Sequence, residues 1–334
     1  MTGGKGRMKK IINEAADVER EMIDGLILAE SKQLRRLGNY NVVLRRELNP
    51  NKVALISGGG SGHEPAHIGY VGFGMLDCAV AGSIFTSPPP ITIYKAIDAI
   101  KTDKGVLCIV KNYTGDIMSF EMAIEMARSV NIKVDYVIVD DDVAVDVKEL
   151  GRRGVAGTIL VHKIAGAAAE TGADLENVKA IAQKTIKNVR TMGMAITPCI
   201  IPASGVPSFE ISEREMEIGV GIHGEKGVSR DKLTNADAIS KKLLDRILTY
   251  LDYAGHEVVV MINGMGGTPL MELCIVNKFV NEYLYRNGVE VYDTMIGNFM
   301  TSIEMSGFSI TLLRLDEELK TYYNATANTY ALKK

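Results

Sequence analysis

Three of the five histidines in this chain lie in glycine-rich or turn contexts, where the backbone can hold an imidazole open to a ligand. His63 and His67 belong to the run SGGGSGHEPAHI over 57–68, and His223 to GVGIHGE over 219–225. His162 and His256 complete the set. A neutral imidazole can act as a nucleophile, a base or a metal ligand, so each run is weighed against a known chemistry. A phosphate-binding loop needs Lys and then Ser or Thr after its last glycine, and here His63 and Glu64 follow Gly62. The dinucleotide fingerprint fails because Pro65 occupies the place of its third glycine. His63-EPA-His67 spells the zinc-protease string HExxH, but Pro65 cannot sit inside the helix that would bring both rings to one face. What remains is an expected strand followed by a loop of exposed N–H groups. His63 then points into its concavity, and His67 has a structural place on a following helix.

A second candidate is KNYTGD over 111–116, directly after an apolar run. Lys111 and Asp116 stand at the C-terminal end of an expected buried strand, where α/β proteins place ligand groups. The plainer alternatives are a solvated lysine and an Asp116 that caps a helix from Ile117 onward. In the third run a ligand could approach the ring of His223 closely between Ile222 and Gly224, or the ring could be structural. Asp140, Asp141 and Asp142 form an acidic run whose expected role is a turn or a helix cap, with no metal site assigned. The GRRG run over 151–154 fits a phosphate, a partner's carboxylates or a surface ion pair. Methionines in 117–126 and 261–271 read as core filler.

These loops need a scaffold. Apolar runs at 53–57, 106–110, 134–139 and 194–202 read as buried strands, and patterned stretches at 119–129, 158–169, 174–192 and 236–253 as helices. A strand at 257–262, a helix at 269–286 and strands near Val289 and Ser309 repeat the alternation. The expectation is an α/β chain of two α/β domains, each a mostly buried sheet flanked by helices. The first spans 8–190 with the glycine-rich and KNYTGD loops, and the second spans 191–334 with the GIHGE loop. The run 309–315 is able to join either sheet. Residues 1–7 read as a leader ahead of Met8.

Composition narrows the class further. Among 334 residues, Lys plus Arg total 38 against 41 Asp plus Glu, a net charge of -3, so nothing favours nucleic acid or an anionic membrane. The four cysteines are widely spaced and read as buried thiols without a disulfide or zinc pattern. No apolar run is long enough for a membrane span, and a cytoplasmic location is expected.

Taken together, SGGGSGHEPAH, IFTSP, KNYTGD, the acidic run, GRRGVAGT, GVGIHGE and NGMGGTPLMEL occur in the order of the substrate-binding subunit of dihydroxyacetone kinases, which the chain resembles from Met8 onward. The resemblance implies covalent capture of dihydroxyacetone, with His223 Nε2 adding to the ketone to give a hemiaminal. It implies that His63 and Asp116 act as acid and base, and that Lys111 and the backbone of Gly60, Ser61 and Gly62 hold ligand oxygens. It implies a homodimer without its own cofactor. ADP or ATP and magnesium would sit on a separate nucleotide-binding subunit recharged by a phosphotransferase-system phosphoryl donor. A ligand-sensing paralog that docks on a transcription regulator shares the same site. Two departures bear on docking: Pro89 stands where the family usually has Thr, and the stretch between the acidic run and GRRG is about two residues short.

Overall fold

A computed structural model describes residues 9–145 and 151–334. The leader at 1–7 and the shortened stretch before GRRG fall on or include residues outside that set. Strands β1 (Leu34–Arg36), β2 (Val42–Arg45), β3 (Ala54–Ser61), β4 (Gly72–Phe73), β5 (Cys78–Ile84), β6 (Val106–Lys111) and β7 (Val134–Val139) come first. They are followed by β8 (Val189–Ala195), β9 (Glu215–Ile218), β10 (Ser229–Lys232), β11 (Glu257–Gly264), β12 (Glu290–Gly297), β13 (Gly307–Arg314) and β14 (Asn328–Thr329). Helices α1 (Val18–Ala29), α2 (Pro90–Ile100), α3 (Thr114–Ser129), α4 (Thr158–Glu170) and α5 (Leu175–Asn188) accompany the first set. The second set is accompanied by α6 (Ala236–Leu248), α7 (Leu270–Arg286) and α8 (Glu317–Asn324).

Two mixed six-stranded sheets result, ordered β1-β2-β5-β3-β6-β7 and β10-β9-β8-β13-β11-β12. In the first, β5, β3, β6 and β7 are mutually parallel, so their C-terminal ends share one edge. That edge is where open α/β sheets place ligands. The 309–315 run enters the second sheet as β13, between β8 and β11. The chain then returns, and β14 pairs with β4. Helices α4 and α5 pack on both halves: Leu160, Ile164, Ala168 and Ile181 share one apolar cluster with Val259 and Leu313 of the second sheet. Deep burial of the strands removes their polar faces from water, which is why they read as apolar runs without alternation.

Several expectations need correction. The expected loop after residue 57 is the second half of β3, with all of Ala54–Ser61 buried. No helix starts at Pro65, since only a 3₁₀ turn follows at Ile68–Tyr70. The helix expected to reach 192 stops at Asn188, and residues 190–192 belong to β8. There the Thr191 and Thr311 hydroxyls meet at 2.8 Å across to β13. In the sequence, buried Thr191 stands as a polar position that extends the helical pattern of the preceding residues. Met118, Met122 and Met271 are exposed instead of filling the core, and so is Cys274 among the thiols. Pro89 has a local use: with φ -60 and ψ 141 it caps α2 and leads into Pro90 at the first helical position.

Candidate active site

The parallel edge gathers chemistry from four strand ends. His63 follows β3, Phe85 and Ser87 follow β5, Lys111 ends β6, and Asp140–Asp142 follow β7. Across from them the second half contributes His223, between β9 and β10, and Thr301, beyond β12. Every side chain expected to do chemistry at this site is therefore present at one edge.

Lys111 and Asp116 form a buried ion pair, Nζ to Oδ2 at 3.2 Å. Asp116 is not a cap, because α3 begins at Thr114 and places its carboxyl group in the first turn, where the helix dipole favours negative charge. Its other oxygen accepts a 2.5 Å hydrogen bond from the Ser87 hydroxyl. Glycine at position 59 is a condition of this pair. A Cβ there would stand 2.4 Å from Lys111 Nζ and 3.2 Å from Asp116 Oδ2. The strand thus approaches the pair through bare backbone.

His63 is buried, and its Nδ1 lies 2.9 Å from the Thr301 carbonyl oxygen. A carbonyl only accepts, so in the neutral ring Nδ1 carries the hydrogen and Nε2 the free lone pair. That Nε2 has no hydrogen-bond partner among the described residues. Burial, the nearby His223 and Lys111 push His63 well below its usual pKa, so the ring is neutral at pH 7. It stacks on Phe85 at 5.2 Å. Phe85 and Ile303, both beside Gly62, hold left-handed backbone angles with φ 56 and 55. Such conformations cost about 1–3 kcal/mol each in residues with a side chain and concentrate at functional sites.

The ring of His223 lies 4.8 Å from that of His63 and 4.4 Å from that of Tyr113, each edge to face. Phe85 closes a third side at 5.5 Å. Burial and then the charge on Lys111 push His223 down to about 4, against Glu225 and Asp116, which favour its protonated form. An imidazole kept neutral has a lone pair to offer.

The remaining expected residues divide. Ser61 turns its hydroxyl to the Gly82 carbonyl at 2.7 Å, and the Gly62 N–H already donates to Glu64. Pairing of β3 with β6 ends at Ser57, so the backbone of Gly60 and Ser61 has no strand partner on that side. His67 belongs to the core. Ser57 gives its hydrogen to the Ile109 carbonyl at 2.7 Å, which leaves its oxygen to accept from His67 Nδ1 at 3.3 Å. The acidic and basic runs neutralise one another through Arg152 with Asp140 and Arg153 with Asp142. Asp141 accepts from the N–H groups of Val155 and Gly157 ahead of α4. Among the described residues, no three metal-ligating side chains converge. Phe85, Ser87, Tyr113 and Thr301 were not legible as site residues. Phe85 and Ser87 lie inside IFTSP and Tyr113 inside KNYTGD, whereas Thr301 acts through its backbone and leaves no mark in the sequence.

Comparison with known proteins places the chain as a whole. The Dak1 domain family model matches residues 24–331. The chain is 50% identical, over 93% of its length and 95% of the relative's, to the dihydroxyacetone-binding subunit DhaK of PTS-dependent dihydroxyacetone kinase 1 of Listeria innocua. The corresponding subunit of Lactococcus lactis is 45% identical over 93% and 94%. Among solved structures, the dihydroxyacetone kinase operon co-activator DhaQ superposes with a TM-score of 0.90 at 37% identity, covering 96% of this chain and 98% of that one. The dihydroxyacetone kinase of C. freundii superposes with a TM-score of 0.90 at 36% identity, covering 98% of this chain and 60% of that larger one. With a family model matched over most of its residues and likeness along almost its whole length, the chain belongs to the Dak1 domain family.

Proposed function

We propose that this chain is the dihydroxyacetone-binding subunit of a phosphotransferase-system-dependent dihydroxyacetone kinase, and that it holds the ketone as a hemiaminal on His223. Two relatives that carry the subunit's name match it nearly end to end, at higher identity than the co-activator structure, which favours the kinase reading over a sensor. The observation that carries the mechanism is the pair of neutral imidazoles, with His223 held at about 4 and a free lone pair on His63 Nε2.

The chemistry follows from that pair. His223 Nε2 adds its lone pair to the carbonyl carbon, and the carbonyl π electrons move to the oxygen. The oxygen gains one proton and the imidazole gives up the one on Nδ1; His63, whose Nε2 lone pair is free, is the group assigned to accept and return it. Glycerol has no carbonyl carbon and cannot form the bond. Asp116 and His63 then draw the proton from a ligand hydroxyl as a phosphoryl group arrives. Lys111 and the backbone of Gly60, Ser61 and Gly62 hold ligand oxygens, with Gly62 first released from Glu64.

Nucleotide and magnesium are assigned to a partner subunit, which supplies the phosphoryl group. The described residues offer neither a phosphate loop nor a metal-ligand cluster that would hold them here. A homodimer in the cytoplasm completes the reading, with residues 8–190 and 191–334 as its two domains.

His223→Ala is the direct test. Isothermal titration with dihydroxyacetone should show binding weakened by at least about 100-fold, on the scale of lost covalent capture. Wild-type affinity in that variant would sink the hemiaminal. Reconstitution with the nucleotide-binding subunit and a phosphoryl donor should give turnover that this chain alone does not.

A further inference from the structure

We propose that Arg153 is a positioning residue for His223, clamping both ends of the 219–225 segment to Asp142, beyond the end of β7, so that the imidazole faces the ketone. The inference rests on the hemiaminal reading above and adds to it the group that aims the nucleophile.

The His223 ring has no side-chain hydrogen bond to orient it among those described, only the edges and faces of His63, Phe85 and Tyr113. Its direction therefore depends on where the backbone places it, and that backbone contains glycines at 219, 221 and 224. A glycine-rich segment does not hold a ring by itself. Arg153 supplies the constraint with its whole guanidinium fork. Nε donates to Asp142 Oδ2 at 2.7 Å, Nη2 donates to the Gly219 carbonyl at 2.8 Å, and Nη1 donates to Glu225 Oε1 at 3.1 Å. The second Glu225 oxygen, Oε2, accepts from the backbone N–H of His223 itself at 2.8 Å. One side chain thus reaches the residue that opens the segment, the residue that closes it and, through Glu225, the nucleophile.

The anchor is firm. Asp142 is buried, accepts from Ala144 N at 2.9 Å, and donates its own N–H to the Arg153 carbonyl at 3.0 Å. The segment is also shaped around the clamp. A Cβ on Gly221 would stand 1.7 Å from Glu225 Oε1 and 2.9 Å from Arg153 Nη1, so this position is glycine because the ion pair fills its side-chain space. Three acceptors in different directions match a planar fork and exceed what one ammonium can satisfy in place.

The test uses Arg153→Lys and Glu225→Gln in the full chain, each checked by circular dichroism and thermal melting. Histidine is labelled with ¹⁵N, and [2-¹³C]dihydroxyacetone is the probe. A one-bond carbon–nitrogen coupling reports the adduct and excludes the ketone hydrate. Wild type should show the coupling. Both variants should lose most of it and bind the ketone at least about 10-fold more weakly, the scale set by a misaimed reacting group. Glycerol, which makes no such bond, should bind both variants as it binds wild type. Variants that keep full coupling and wild-type affinity would overturn the clamp alone. Equal losses for ketone and glycerol would overturn it too, by showing general damage to the pocket. Absence of coupling in wild type would overturn the clamp together with the hemiaminal.

Discussion

Burial first, and with it the charge on Lys111, keeps the histidines of this site unprotonated. Lys111 is among the causes that lower His63, His67, His162 and His223, and for His223 it is second only to burial. Replacing it with Met removes a repulsion from the imidazolium form, so the pKa of His223 should rise from about 4 toward its usual 6.5. Ligand capture as proposed, which needs the neutral ring, should then fail at a higher pH on the acid side. Histidine titration by NMR, alongside binding measured from pH 4 to 7, checks this; an unmoved His223 would refute it. Stability should fall as well, by about 3–5 kcal/mol, because Asp116 is left buried without its cation. The types and spacing of His63, Lys111, Asp116 and His223 were legible because chemistry restricts them to few residue types. Burial of Lys111 was not, since a lysine after a strand looks the same in sequence whether its amine meets water or a carboxylate.

At the scale of elements, α4 carries a group that the site does not use. His162 is buried against His67 at 5.3 Å, and neither of its ring nitrogens has a protein partner among the described residues. Burial, with help from Lys111, pushes it down to about 3. The unfolded ring titrates near 6.5, so between these values the unfolded chain binds more protons and folding stability falls as pH falls. His162→Leu removes that penalty. Relative to wild type, the variant should gain about 1.4 kcal/mol per pH unit on going from pH 6.5 toward 3, read from urea melts at several pH values. A parallel pH dependence in the two proteins would show that His162 is not the neutral group assigned here. The strands and helices were largely legible from apolar patterning. Misreadings fell where the pattern is carried by neighbours: the glycines of β3, whose side-chain space belongs to Lys111 and β5, and Thr191 of β8, which pairs with Thr311 of β13 across the sheet.

The molecule as a whole joins its two sheets through α4, α5, the return of the chain to β4 and the site between them. Sequence supplied the α/β class and the run of buried strands. It could not show that the 309–315 run would become the interior strand β13, because pairing partners are chosen by tertiary packing. Nor could it show which apolar residues stay outside. Cys274 is exposed on α7, near exposed Met271 and Ile275, while Cys78, Cys108 and Cys199 are buried with thiols shifted upward. A native protein treated with a thiol-disulfide reagent should release one equivalent rapidly and the remainder only in denaturant. Cys274→Ser should abolish the rapid phase, and a second fast thiol would contradict the burial assigned to the others.

The hydrogen bond from His63 to the Thr301 carbonyl also sets an order of events during synthesis. His63 leaves the ribosome early, yet the contact that fixes its tautomer arrives from a segment made 238 residues later. Until then the lone pair on its ring is undirected. If His223 traps a ketone as proposed, a nascent chain should therefore be unable to do so before both sheets have closed on each other.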